Sequence, residues 1–415
     1  MLRAAFTHQR CVHWASILIV CLPLILAACG SGNNIPQPQQ ASCPMDAPVA
    51  TPVNATTNAL TNIALPGHPF ASITTKNGQW LFVSLNAGSP SASSGIAVLH
   101  KNGQQFHLTR VVSLTSAAFG MALTTDDTVL LVADLTGVTF VSVSQAENGG
   151  QNAVLGAVQE IGDPGTIEVT VTRDGRYAFA TEEYSASVSV IDLQLIRANH
   201  FAYGTIAGHI PVDFAPVGMA ISPDNRYLYV TSEVSKAVAK QPVFNPILQQ
   251  AVGTLSVVDI AKAENDPSHA VIARVPAGCN PGRVVLSSEG NIAWVTARAS
   301  NMLLAFNTSR LLTDPRHALL VSLPVGPEPV GVALLNNDSV IAVANSNRFA
   351  QDQTPQTVML LDTQKALAGK PALLKTFRVG LFPRELSTTP DGQTLFVTNY
   401  TSNTLTIINI TKLHT

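Results

Sequence analysis

Between about residue 69 and the C-terminus, hydrophobic and polar positions fall into one pattern that recurs seven times. A proline or small residue opens a short apolar strand, a polar turn follows, and a second strand closes on Val and then Thr or Ser. The clearest copies are Pro216-Val-Gly-Met-Ala-Ile-Ser-Pro-Asp-Asn-Arg-Tyr-Leu-Tyr-Val-Thr231 and Pro383-Arg-Glu-Leu-Ser-Thr-Thr-Pro-Asp-Gly-Gln-Thr-Leu-Phe-Val-Thr398. In both, the turn residue stands nine positions beyond the proline, and the same offset joins Pro69 to Gly78, Ala118 to Asp127, Pro281 to Gly290 and Pro329 to Asp338. Pro164 opens the remaining copy, whose turn Arg173-Asp174-Gly175 arrives two residues late.

Each copy continues into a third apolar run, as in Ser187-Val-Ser-Val-Ile-Asp192, Leu255-Ser-Val-Val-Asp259, Val358-Met-Leu-Leu-Asp362 and Leu405-Thr-Ile-Ile-Asn409. A fourth follows, as in Ala270-Val-Ile-Ala-Arg-Val275 and Leu373-Leu-Lys-Thr-Phe-Arg-Val379. Four short strands per period of about fifty residues, repeated seven times, predict an all-β fold: a seven-bladed β-propeller of four-stranded blades. A β-helix has shorter rungs, and a sandwich has no such register. The last copy runs out after Ile410 without an outer strand, whereas Leu60-Thr-Asn-Ile-Ala-Leu-Pro66 is a strand without a blade. The N-terminal strand is therefore expected to complete the last blade, closing the ring and removing two open edges. The Asp-Gly and Asp-Asn turns resemble calcium loops at a glance, but between two apolar strands they read as hairpin turns.

The N-terminus reads as a leader. Arg3 and Arg10 precede an apolar run from Ile17 to Ala28, broken by Pro23 and followed by Cys29. That run is shorter than the roughly 20 apolar residues of a spanning helix. Leu26-Ala27-Ala28-Cys29 resembles the bacterial lipobox, which implies cleavage before Cys29 and diacylglycerol on its thiol. Residues 1–28 are then a lipoprotein signal peptide, residues 29–57, rich in Gly, Asn, Gln, Pro and Ser, a flexible tether, and residues 58–415 the propeller domain. The expected location is the cell envelope, lipid-anchored. With no acidic residue after Cys29, the outer membrane is favoured, facing the periplasm or the cell surface.

Cleavage removes two of the 24 basic side chains and none of the 26 acidic ones, leaving a mature charge of −4 that gives nucleic acid no purchase. With 46% hydrophobic and only 12% charged residues, the chain has a large buried core and is not disordered. Of the five cysteines, only Cys43 and Cys279 remain after cleavage and lipidation; in an oxidising compartment they can form a disulfide, or stand as two separate thiols.

The tetrapeptides Tyr229-Val-Thr-Ser232 and Phe396-Val-Thr-Asn399, with the strand ending at Asp192, resemble the YVTN-type β-propeller repeat family over roughly residues 60–412. Related propellers include lactonases of the phosphogluconolactonase type as well as surface proteins without known activity. The motif consists of strand and turn residues, so it implies the fold and is silent on activity.

Candidate chemistry lies on the loops of one face, around the channel. The residue after each Val-Thr pair reads Leu85, Asp134, Glu182, Ser232, Ala297, Asn345 and Asn399 around the ring; the next reads Asn86, Leu135, Glu183, Glu233, Arg298, Ser346 and Tyr400. Loops before the inner strands add His68, Arg283, Glu328, Arg384 and Glu385. Asp134, Glu182, Asn345, Asn399 and Arg283 are the expected ligand-binding residues, with Glu182 rather than Glu183 facing the channel because strand neighbours point opposite ways. The alternative is that these are rim charges pairing with one another.

No metal site is expected, although a divalent metal is the one cofactor the ring leaves open. Gly-x-Ser-x-Gly, His-Glu-x-x-His, phosphate-binding and dinucleotide glycine motifs are absent from the chain. The leading expectation is a binding or scaffold module that engages an envelope protein or polysaccharide through its loop face. The competing one is a lactonase-like hydrolase in which Glu182 or Glu233 activates water and Arg298 or Arg384 holds an anionic substrate.

Overall fold

The computed structural model describes residues 43, 49–50, 60–87, 94–150, 152–162, 164–201, 206–237, 251–348 and 356–410. The leader, Cys29 and most of the tether lie outside the described residues. The rest forms seven four-stranded antiparallel sheets. These blades span residues 68–113, 121–159, 166–211, 214–279, 281–324, 329–378 and, for blade 7, 383–409 with Leu60–Ala64. As expected, the N-terminal strand closes the ring. Leu60 lies opposite Ile408 and Ala64 opposite Thr404, and Thr406 Oγ1 donates to Asn62 Oδ1 at 2.6 Å.

There is no single core. Seven apolar clusters each fill one seam between neighbouring blades; Leu81, Val83 and Phe106 of blade 1 meet Phe396 and Leu405 of blade 7, for example. Both faces of each blade are thus buried, which is why the strands read as nearly continuous apolar runs.

The repeat's polar residues stitch these seams. The Thr of the Val-Thr pair accepts from an N–H of its own inner strand, as Thr296 does from Arg283 at 3.0 Å, and donates to a carbonyl of the next blade, at 2.8 Å to Val330 O. Thr398 repeats this with Glu385 N–H and Phe70 O across the closing seam. The hydroxyl occupies a gap left by an irregularity in the inner strand, present after Pro69, Pro281, Pro329 and Pro383 alike.

At the opposite end of each inner strand, every turn residue found by the offset has positive φ: Gly78, Asp127, Gly175, Asn225, Gly290, Asp338 and Gly392. Glycine takes that conformation without cost, and Asn and Asp tolerate it. The non-glycine members do a second job. Asp127 and Asn225 accept the backbone N–H of Lys76 and Arg173 in the preceding blade at 2.6 and 2.7 Å, and Asp338 does the same for Ser288.

The Asp and Asn residues that close the third strands cap short helices, which the strand pattern did not predict. Asp192, Asp259, Asn307 and Asp362 accept the N–H three residues on, and apolar pairs such as Leu193 and Ile196 anchor the single turn. Cys43 and Cys279 are joined by a disulfide at the end of the outer strand of blade 4, and Ala50 N–H donates to Val325 O at 2.8 Å, next to the end of the outer strand of blade 5.

A chain beginning at Pro69 lacks the closing strand and exposes the third strand of blade 7. It is expected to melt lower and to self-associate, measured by calorimetry and sedimentation; a monomer with an unchanged melt would overturn the closure role.

Candidate ligand-binding site

Arg283, two residues beyond its anchor proline in blade 5, reaches across the channel axis in two directions. Its Nε lies 2.5 Å from Glu385 of blade 7 and its Nη2 3.1 Å from Glu168 of blade 3, while Nη1 donates to Val217 O. Arg283 is 7% exposed. The blades it passes over carry glycine at the matching position, where the next blade approaches closely. A Cβ on Gly218 would sit 2.4 Å from Gly282 O, and one on Gly331 would sit 3.0 Å from Arg384 O. The two carboxylates raise the guanidinium pKa despite its burial. Burial and the nearby Glu385 charge push Glu168 up.

Above this belt, Glu183, Glu233, Arg283, Arg298, Arg348 and Arg384 line a cavity of about 130 Å³ together with Ile167, Val217, Gly282 and Val330. Arg298 Nη2 pairs with Glu233 Oε1 at 3.2 Å, both buried. Arg384 differs. Its guanidinium stacks on Phe70 at 3.7 Å, with Phe382 at 5.4 Å and Tyr400 at 5.9 Å. Among the described residues no carboxylate forms an ion pair with it, and its buried Nε has no hydrogen-bond partner. Burial, then the like charges of Arg283 and Arg348, lowers its pKa to about 9, which still leaves it cationic at neutral pH. Glu183 is the acidic counterpart. Its side chain makes no hydrogen bond or ion pair among the described residues, and burial with the Glu233 charge raises it to about 7.

Where the sequence placed Glu182 in the channel, the structure places Glu183. The faces of a propeller strand point at the two neighbouring blades, so alternation chooses between neighbours; the channel is reached only where the strand ends. Glu182, 1% exposed, turns into the seam with blade 2 and accepts from Thr166 Oγ1 at 2.7 Å and Ser189 Oγ at 3.1 Å. Asp134, Asn345 and Asn399 are pegs of the same kind. Asp134 accepts from Thr139 Oγ1 at 2.6 Å, Asn345 Nδ2 donates to Thr357 Oγ1 at 3.1 Å, and Asn399 Nδ2 donates to Thr406 Oγ1 at 2.8 Å. Of the expected binding residues, only Arg283 lines the cavity; of the catalytic candidates, Glu233, Arg298 and Arg384 do.

Glu168 escaped the sequence reading because its copy is displaced by two residues. Aligned on the turn, it occupies the position of Arg283 and Glu385, and its N–H meets Thr181 Oγ1 at 3.0 Å as theirs meet Thr296 and Thr398. His68 stacks on Tyr400 at 4.9 Å beside the mouth. No group of three or more His, Cys, Asp or Glu among the described residues is arranged to hold a metal ion.

No protein-family model matches the chain, and no curated protein matches it. Among solved structures, a chain of Kuenenia stuttgartiensis hydrazine synthase is similar over 86% of this chain and 98% of its own, with a TM-score of 0.64 and 18% identity. That likeness shows the propeller fold and nothing of its chemistry.

Glu182 supplies a pH signature. Ser189 Oγ lies between Glu182 and Glu160, and one hydroxyl proton cannot serve both carboxylates, so an acid must carry a second. Burial holds Glu182 protonated, its pKa raised from 4.5 to about 8. Folding therefore favours the protonated form, and the stability it confers is complete below pH 4.5 and lost as pH rises through about 8. Glu182→Gln, which mimics the protonated acid, is expected to lie close to wild type at pH 5 and to exceed it by a few kcal/mol at pH 9, roughly what a shift of this size implies, read from denaturant melts.

Proposed function

We propose that this chain is an envelope lipoprotein, anchored through Cys29, whose YVTN-type propeller binds a small anionic molecule at the channel mouth. The observation that carries this reading is Arg384. Arg384 is half-buried with its Nε fully enclosed and unbonded, a cost that stacking on aromatic rings, worth at most ~2 kcal/mol, only partly returns. A guanidinium held on Phe70 and left without a carboxylate, while Arg283 and Arg298 beside it are paired, is a preorganised anion site. Binding is favoured over the hydrolase reading because Glu233 is engaged by Arg298, and Glu182 by Thr166 and Ser189. Neither is free to activate water.

The test is a thermal-shift panel of small carboxylates, amino acids among them, on the purified protein and on Arg384→Gln. Ligand at 100 times its dissociation constant adds about 2.7 kcal/mol, a rise of several degrees. The variant is expected to lose the shift while melting no lower than wild type without ligand, since it removes an unpaired charge. A shift that persists in Arg384→Gln, or its absence in wild type, would overturn the reading, and the second result would send the search to envelope proteins and polysaccharides.

A further inference from the structure

The charges of the cavity divide unequally between those that hold the ring and those that do not. Arg283 is engaged by Glu168 and Glu385, and Arg298 by Glu233. Arg384 and Glu183 make no ion pair among the described residues. Both line the same cavity, each feels the other's charge, and no ion pair joins them. A simple anion seated on Arg384 would lie close to Glu183 and Glu233, and a simple cation seated on Glu183 would lie close to Arg384, Arg298 and Arg348. The cation would be repelled by the four arginines that line the cavity, and the anion would leave Glu183 without a partner.

We infer that the ligand is a small zwitterion of amino-acid size, its carboxylate on Arg384 and its ammonium on Glu183, a conclusion that rests on the binding reading above. Size agrees with charge. The cavity of about 130 Å³ is slightly smaller than a cavity of roughly 150 Å³ that accepts benzene, so it suits a molecule of about six heavy atoms, the size of alanine. Ile167, Val217 and Val330 offer a short apolar side chain an aliphatic wall. Glu183, poised near neutrality in the free protein, is drawn to its charged form by an arriving ammonium, so binding releases a proton.

Titration calorimetry of the purified protein at pH 7 with glycine, alanine and serine, and with propionate and ethylammonium as half-ligands, tests this. An amino acid is expected to bind at least tenfold tighter than either half-ligand, with a heat that varies between buffers of different ionisation enthalpy as a proton is released. Glu183→Gln is expected to weaken amino-acid binding about tenfold, to abolish the buffer dependence, and to leave propionate binding equal or tighter. Propionate binding as tightly as alanine, with no response to Glu183→Gln, overturns the zwitterion and leaves the anion site standing. Failure of the whole panel overturns both.

Discussion

The cross-axis contact of Arg283 with Glu168 and Glu385 is the constraint around which the channel end of the ring is arranged. A buried guanidinium is tolerable only when its charge is met, and here two acids from blades on either side meet it. The blades between them, 4 and 6, carry Gly218 and Gly331 at the same level, where the backbone of the next blade comes within 2.4 and 3.0 Å of where a Cβ would stand. Three alternate blades are thereby tied through their inner strands, in addition to the contacts each makes with its immediate neighbours.

Between neighbours the stabilising forces are layered. Apolar clusters fill the seams, Thr hydroxyls bridge successive inner strands toward the channel-mouth end, and left-handed Asp and Asn turns cap the preceding blade at the opposite end. The Thr of the repeat therefore has a physical role: it satisfies an N–H freed by the inner-strand irregularity and a carbonyl of the next blade with one hydroxyl. Polar groups so employed are unavailable for ligands, which is why Asp134, Asn345 and Asn399, polar and well placed along the chain, are structural pegs. Arg384 and Glu183, by contrast, line the cavity without an ion pair among the described residues.

Much of the fold was legible because each signal was local. A nine-residue spacing from the anchor to a left-handed turn in six of the seven copies, apolar runs of strand length, and an extra strand at one end against a missing one at the other specify blades and closure without knowledge of any long-range contact. The short helices after the third strands were missed although their Asp and Asn caps were visible, since the same residues read equally well as strand ends. The candidate site was legible only in part. Loop position marks Arg384, Arg298, Glu233 and Arg283, but strand alternation favours Glu182 where the structure has Glu183 at the cavity, and the displaced copy hides Glu168.

By itself the sequence determined the all-β class, the number and boundaries of the blades and the strand that completes them, because periodicity and turn chemistry are encoded within each repeat. Only the tertiary structure decided which polar side chains meet. Arg283 and its two acids come from positions more than a hundred residues apart in one case and 115 in the other, and their pairing depends on the radial order of the blades. The same radial order leaves Arg384 stacked on Phe70 without an acid partner, a fact that no spacing along the chain encodes.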